Sequence, residues 1–436
     1  MDKFGFVGET TEYKLSDLFN LQMGKTPSRN NAEFWSDGEY KWISIADLTK
    51  TGKYISETKE LLSQKAIDES GIAVIPTNTV VMSFKLSIGK TAITSEDMYS
   101  NEAIMSFHDR HVTELLPEYI YYLLLAQRWD EGANKAVMGM TQNKATLSNR
   151  KVRIHSIIAQ KSIVERLDKL QKLIDDRKTQ LDELETLIKA RFVEMFGDPL
   201  AGTEKWSFQT VGDVADSVDP QPSHRTPPVV EGGIPYVSMK DCNYKNGTID
   251  FAGARKVSPD VLVEHHNRYE LHNGDFIIGK IGTIGNPIFV PKRDDYALSA
   301  NVVLIQPNSS KVSPYFLKET FESSFVERQF LDAKNSTSQA AFGIKKVRNI
   351  KIMNPDMKTQ MEFENFAIQV DKLKVEVQSI FLNCGSRSIF RYAQSIKGCK
   401  IEKYERRCSF DTKRECHRGN EKKWWICYLS AIKSDC

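Results

Sequence analysis

At 436 residues, with 40% hydrophobic and 10% aromatic residues, the chain has room for two or three domains with real cores. Its formal charge of +3 is unevenly spread, with 13 Lys and Arg against 6 Asp and Glu in residues 385–436 and 47 against 51 elsewhere, which excludes a uniformly basic nucleic-acid binder. The longest apolar run, YIYYLLLA at 119–126, falls short of the roughly 18 residues of a membrane span, and no signal pattern opens the chain, so a cytoplasmic location is expected.

Residues 12–159 mix strand-like runs with turns. EYKLSDLFNLQMGKTPS opens with a short amphipathic segment, KWISIADL and TVVMSF read as strands, and PEYIYYLLLAQRW reads as a helix started by Pro117 and Glu118. Ile163, Leu167, Leu170, Ile174, Leu181, Leu184 and Ile188 then follow a 4-3 spacing broken only at Arg177, the seam of a coiled-coil helix. At about 1.5 Å per residue it reaches about 50 Å, long enough to join domains rather than lie across one.

Residues 206–359 repeat the earlier signals at offsets near 195. IPYVSMKDC answers YKWISIADL, pairing Trp42 with Tyr236, Ser44 with Ser238 and Asp47 with Asp241. FIIGKIGTIGNPIF answers VVMSFKLSIGKTAI, with Gly285 on Gly89, and Asn301 answers Asn101. Gln339 answers Gln142, and KVR recurs at 151 and 346. A second helix begins near Gln360, with Phe366, Val370, Leu373, Val377 and Ile380 as its seam. The expected plan is a domain at 1–159, a spacer helix at 160–197, a second domain at 198–359, a second helix at 360–384 and a tail at 385–436.

Motifs for chemistry are missing. The Gly-Lys-Thr triplets at 24 and 89 lack the glycine that a phosphate loop requires, and GDFIIGK at 274 continues with Ile281 in place of Ser or Thr. There is no His-Glu-x-x-His, no dinucleotide loop and no Asn-Pro-Pro-aromatic or Asp-Pro-Pro-aromatic motif of an amino-methyltransferase. Cys242 is the one cysteine before position 384; with His265, His266 and His272 downstream it reads as structural. No catalytic or metal site is expected. The glycine-bearing turns instead suggest points of close approach to DNA, with Lys85, Ser87, Lys90, Lys280, Thr283 and Asn286 donating to phosphates or base edges, although an ordinary hairpin explains either copy alone. Gln142 and Gln339 can pair bidentately with adenine. Lys144 and Lys240, with the repeat positions Trp42, Ser44, Asn101, Ser238 and Asn301, extend this candidate DNA-binding set.

GKTPSRNNAEFWSDGEYKWISIADL at 24–48, the turns KLSIGKTAI and KIGTIGNPI, GMTQNKATL at 139–147, and ARFVEMFGDP after a heptad helix resemble the DNA specificity (S) subunit of type I restriction-modification systems. The likeness spans about residues 10–382. It implies two pseudo-repeated α+β target-recognition domains separated by long antiparallel coiled-coil helices, each domain reading one part of a split, asymmetric DNA site. It implies double-stranded DNA, modification (methyltransferase) subunits and a restriction subunit as partners. S-adenosylmethionine, ATP and Mg are then expected on those partners and no cofactor on this chain. The opening motif adds Lys25, Thr26 and Arg29 to the DNA-binding set. The second half offers DPQPSHRTPPVVEGGIPY instead, with Ser223, Arg225 and Thr226 as rough counterparts.

Two other readings compete. A restriction enzyme carrying recognition and catalysis on one chain would need nuclease or methyltransferase motifs. A coiled-coil scaffold with protein-binding domains would leave DNA unshifted in the presence of a modification subunit. Residues 385–436 hold five of the seven cysteines, a net charge of +7 and Trp424-Trp425, without heptads. They fit a frame-shifted end or, alternatively, a basic arm gripping phosphates. A second helix stopping near Cys384 is expected to leave residues 179–196 of the first helix without a full partner, exposing Leu181, Leu184 and Ile188.

Overall fold

The computed structural model describes residues 10–381 apart from 128, 130–133, 137, 138, 142, 204, 224, 245, 246, 281–283 and 336–342. The candidates Gln142, Thr283 and Gln339 and the tail at 385–436 lie outside the described residues. The described chain divides into two compact units, one ending at residue 174 and one covering 175–381.

In the first unit the chain passes through β1 (Thr11–Lys14), β2 (Phe19–Met23), β3 (Tyr40–Ile43), β4 (Glu60–Leu62), β5 (Val80–Ser83), β6 (Thr91–Thr94), β7 (Tyr99–Ser100), β8 (Ile104–Asp109), helix α1 (Pro117–Leu125) and β9 (Lys151–Ile154). The main sheet has the order β2-β8-β5-β6, completed by Tyr54–Ile55. A second ladder runs β4-β3-β7, with β3 antiparallel to β4 and parallel to β7, and β1 pairs with β9. All four residues of β5 are buried, as a central strand covered on both faces requires. Pro117 occupies the first turn of α1, where its missing N–H costs nothing, and the helix buries Tyr119, Ile120, Leu123 and Leu124 against the sheet.

The long helix α2 (Ile157–Phe196) contributes residues to both units. In the second unit β10 (Phe208–Thr210), β11 (Ala215–Val218), β12 (Ile234–Val237), β13 (Arg255–Val257), β14 (Phe276–Gly279), β15 (Gly285–Phe289), β16 (Ala297–Leu298), β17 (Val302–Pro307), α3 (Pro314–Glu322), β18 (Lys351–Met353) and α4 (Met357–Phe381) follow. The sheets are β11-β17-β14-β15, β13-β12-β16 and β10-β18, and β12 is again antiparallel to one neighbour and parallel to the other. The sequence repeat is therefore a repeat of strand pairings.

Several expectations are corrected. KWISIADL is not one strand. β3 stops at Ile43, and Ser44 caps the helix Ile45–Lys50 through a reciprocal box with Asp47. The KVR triplets are not equivalent, because 151–153 lies in β9 whereas 346–348 ends the short helix Ile344–Arg348. That helix matches Lys144–Ser148, so the final elements are offset by 200. The buried stripe of α4 is Phe363, Ala367 and Val370, and Leu373 is 49% exposed. The 4-3 spacing permits either register, and aromatic packing selects this one: Phe363 lies 5.4 Å from Phe192 and 5.6 Å from Phe196, ring centre to ring centre. Farther along α4, Lys374 pairs with Glu185, farther back along α2, so the two helices run antiparallel. The C-terminal half of α2 thus has its partner, and Ile188 is buried with Leu184 packed beside it.

Two equivalent glutamines tie each long helix to the start of its domain's shorter helix. Gln160, fully buried, accepts from the Leu116 N–H (3.1 Å) and donates to the Glu114 and His155 carbonyls (2.9 Å each). Gln360 accepts from the Ser313 N–H (2.9 Å) and donates to the Pro355 carbonyl (2.9 Å). Each satisfies a backbone group at the start of α1 or α3 that the helix itself leaves open.

Candidate nucleic-acid interface

In the first unit, residues 24–39 join β2 to β3. A Cβ on Gly24 would lie 2.3 Å from the Ser100 carbonyl oxygen, so glycine is required for the backbone to pass that close. The Lys25 N–H donates to the same carbonyl (2.8 Å), and the Trp42 indole N–H donates to the Lys25 carbonyl (3.1 Å). Trp42 is buried and meets Trp35 edge to face at 5.1 Å. It is therefore a post for the loop and presents no ring for a base to stack on, which corrects its candidacy as a contact. The Lys25 ammonium donates to the Ser70 carbonyl and the Thr26 hydroxyl to Glu102, which holds that carboxyl below the usual carboxylate range. Arg29 pairs with Glu60 (Nη2–Oε2 3.0 Å) and lies 3.7 Å over the Trp35 ring. It sits at the surface with its charge already countered.

The turn after β5 is closed by Ser83, which accepts from the Gly89 and Lys90 N–H groups (2.9 and 3.1 Å). Gly89 has φ +89°, and a Cβ there would lie 2.8 Å from the Trp129 ring. Gly285 has φ +80° and faces Phe330 at 3.2 Å. The close approach that these glycines allow is to an aromatic ring of their own domain, not to DNA. Ser87 and Lys90 are exposed on the turn, and Lys85 is half-buried with its ammonium 5.2 Å from the Phe84 ring. Asn101 is half-buried, its side chain accepting from the Ala103 N–H (3.0 Å). Lys144 is exposed in its short helix.

In the second unit, residues 219–233 join β11 to β12. Lys280, expected on a phosphate, is instead 3% exposed, and its Nζ lies 2.7 Å from Asp219 Oδ2. Its position directly after β14 corresponds to the buried Phe84 after β5, so the side chain fills an interior slot and must find its countercharge there. Gln221 accepts from His265 Nε2 (2.9 Å), while Tyr269 donates to His265 Nδ1 (3.0 Å). Burial pushes the His265 pKa down to about 4, so the ring is neutral. The loop then surfaces, with Ser223, Arg225 and Thr226 exposed. Ser238 repeats the cap of Ser44; each hydroxyl donates to its own aspartate, Ser238 to Asp241 (2.8 Å) and Ser44 to Asp47 (2.7 Å), and neither is free to read a base. Lys240 is exposed, as is Asn286, which holds φ +53°. Asn301 is exposed, and its carbonyl receives the Lys280 N–H (3.0 Å).

The exposed candidates with no ion partner among the described residues are thus Lys90 and Lys144 in the first unit and Arg225 and Lys240 in the second. Asp219, Gln221, His265 and Glu60 were not expected; the one hint in the sequence is a lysine ending the otherwise apolar run FIIGK. Burial pushes the Cys242 thiol up to about 12, well above where a nucleophile would ionise. Among the described residues no group of three or more His, Cys, Asp or Glu is placed to hold a metal, and no helix is long and apolar enough to cross a membrane.

The family profile of the type I restriction modification DNA specificity domain matches residues 8–186 and 203–378. The chain is similar to the type I restriction enzyme MjaIX specificity subunit of Methanocaldococcus jannaschii, 26% identical over 189 residues, 42% of this chain and 43% of that protein. It is similar to the EcoR124I/EcoR124II specificity subunit of Escherichia coli, 27% identical over 174 residues, 38% and 42% of the two chains. The chain thus spans less than half the length of these two relatives. In fold it resembles the S subunit of a type I restriction-modification system from M. genitalium, with a TM-score of 0.52 and 12% identity over 92% of this chain and 99% of that one.

Proposed function

The chain belongs to the type I restriction modification DNA specificity family, and from that premise we propose that it is the DNA-reading subunit of a restriction-modification complex. Each domain reads one half of a split, asymmetric site. Partner modification subunits carry S-adenosylmethionine and methylate adenine; a restriction subunit uses ATP and Mg to cleave; this chain supplies recognition without catalysis, in the cytoplasm. The observation that carries the reading is one set of strand pairings built twice on a single chain, with unlike loops at 24–39 and 219–233. A symmetric dimer reads a palindrome, whereas two diverged copies on one chain suit unlike half-sites.

The test is to sequence methylated adenines in cells expressing this chain with its modification subunit. Exchanging residues 10–155 for those of a relative should change one half of the methylated site and preserve the other. Simultaneous change of both halves would refute two independent readers.

A further inference from the structure

We propose that the buried Lys280–Asp219 ion pair is a positioning device that sets the direction in which residues 219–233 leave β11, and thereby presents Arg225 to the second half-site. This rests on the reading of the second domain as a DNA reader. Asp219 is the first residue after β11, as Gly24 is the first after β2. Side-chain exposure is 4% for Lys280 and 16% for Asp219, and the contact is 2.7 Å. The Lys280 N–H is itself fixed to the Asn301 carbonyl (3.0 Å), so the ammonium projects from a rigid strand end.

Two residues farther on, the Gln221 side chain is held by neutral His265, whose other nitrogen is occupied by Tyr269. The Arg255 guanidinium donates to the Pro227 carbonyl (3.1 Å), and the Val230 N–H donates to the Lys256 carbonyl (3.0 Å). The segment is therefore pinned at its root and at its return, and Ser223, Arg225 and Thr226 lie exposed between the pins. A buried ion pair gives little net stability, because desolvation offsets attraction, and the first unit fills the corresponding slot with Phe84. What an ammonium–carboxylate contact adds over an apolar one is direction.

The variant D219N/K280M removes both charges at similar volume, so the domain should keep its unfolding midpoint. Amide exchange across 219–233 in the full chain should rise at least about tenfold while β14 and β17 stay protected. In the complex, methylation should lose selectivity at the second half-site and keep the first. The swap D219K/K280D should restore both protection and selectivity. Unaltered loop exchange in D219N/K280M would overturn the proposal. So would failure of the swap with a folded domain, as expected if Lys280 touched phosphate directly. A wild-type chain that directs no methylation would instead refute the DNA-reading function, while the exchange measurement would still judge the ion pair.

Discussion

Residues 24–39 and 219–233 leave equivalent strands and arrive at equivalent ladders, yet they are rooted by different physics. In the first unit the root is steric: a glycine pressed against the Ser100 carbonyl, with an indole N–H holding the next residue. In the second it is electrostatic: a buried ion pair, then a neutral histidine on a glutamine. The two solutions share the repeat position of Trp42 and Tyr236, whose indole N–H reaches the Lys25 carbonyl and whose hydroxyl reaches Gln221 Oε1 (3.5 Å), but differ in what fixes the first loop residue. Beyond their roots the loops are tied to the ladders, by Arg29 on Glu60 in the first unit and by Arg255 on the Pro227 carbonyl in the second.

Breaking each root should cost differently. Asp219→Ala leaves an ammonium buried without a countercharge and should destabilise the second unit by about 3–5 kcal/mol, read as a loss of exchange protection in β14 and β17. A cost under about 1 kcal/mol would mean that Lys280 escapes to solvent and that the pair is dispensable. Gly24→Ala should destabilise the first unit by about 1–3 kcal/mol, since the new Cβ and the Ser100 carbonyl cannot both stay in place. Trp42→Phe keeps most of the packing but drops the bond to the Lys25 carbonyl, and about 1 kcal/mol should be lost, confined to the first unit.

The matching helices sharpen the contrast in another way. Tyr122 in α1 donates to Asp168 (2.5 Å), while the same position in α3 is Glu319, among Lys318, Glu322, Glu185 and Lys189. Burial pushes the Glu319 carboxyl up to about 7. Its folded value thus lies above its unfolded one, so the folded state keeps a proton that the unfolded chain has released. This contribution is complete below the ordinary carboxylate pKa of about 4.3 and is lost as pH rises through about 7. Glu319→Gln should therefore gain stability relative to wild type between pH 5 and pH 8 in denaturant titrations at about those values; an equal difference at both would contradict the assignment.

The smallest effects belong to the surface cations. Lys90→Gln, Lys144→Gln, Arg225→Gln and Lys240→Gln should leave stability unchanged. Each that holds a phosphate should flatten the logarithmic salt dependence of DNA binding by about 0.9. The swap D219K/K280D, which keeps the buried contact, should leave that slope unaltered, whereas a Lys280 held on a phosphate would flatten it when its charge is moved.

What the sequence determined is what repetition and local periodicity encode. The order of domain, helix, domain, helix was legible because strand alternation, the 4-3 seam and the recurrence of whole segments are carried by neighbouring residues. The motifs GKTP and FVEMFGDP marked the family, and the structure gives them architectural roles: Gly24 and Lys25 root a loop, while Phe192 and Phe196 fill the second core and Asp198 caps the turn Pro199–Ala201 that follows α2. Tertiary structure alone decided which polar residues face water. Lys85 and Lys280 look alike in their turns, but Lys280 is folded onto an aspartate 61 positions away. Gln160 and Gln360 look like helix-surface residues until α1 and α3 bring unsatisfied N–H groups to them, whereas the Ser-x-x-Asp boxes at 44–47 and 238–241 are local patterns of three-residue spacing. Burial and long-range hydrogen-bond partners are properties of contacts between distant segments, and no local pattern records them.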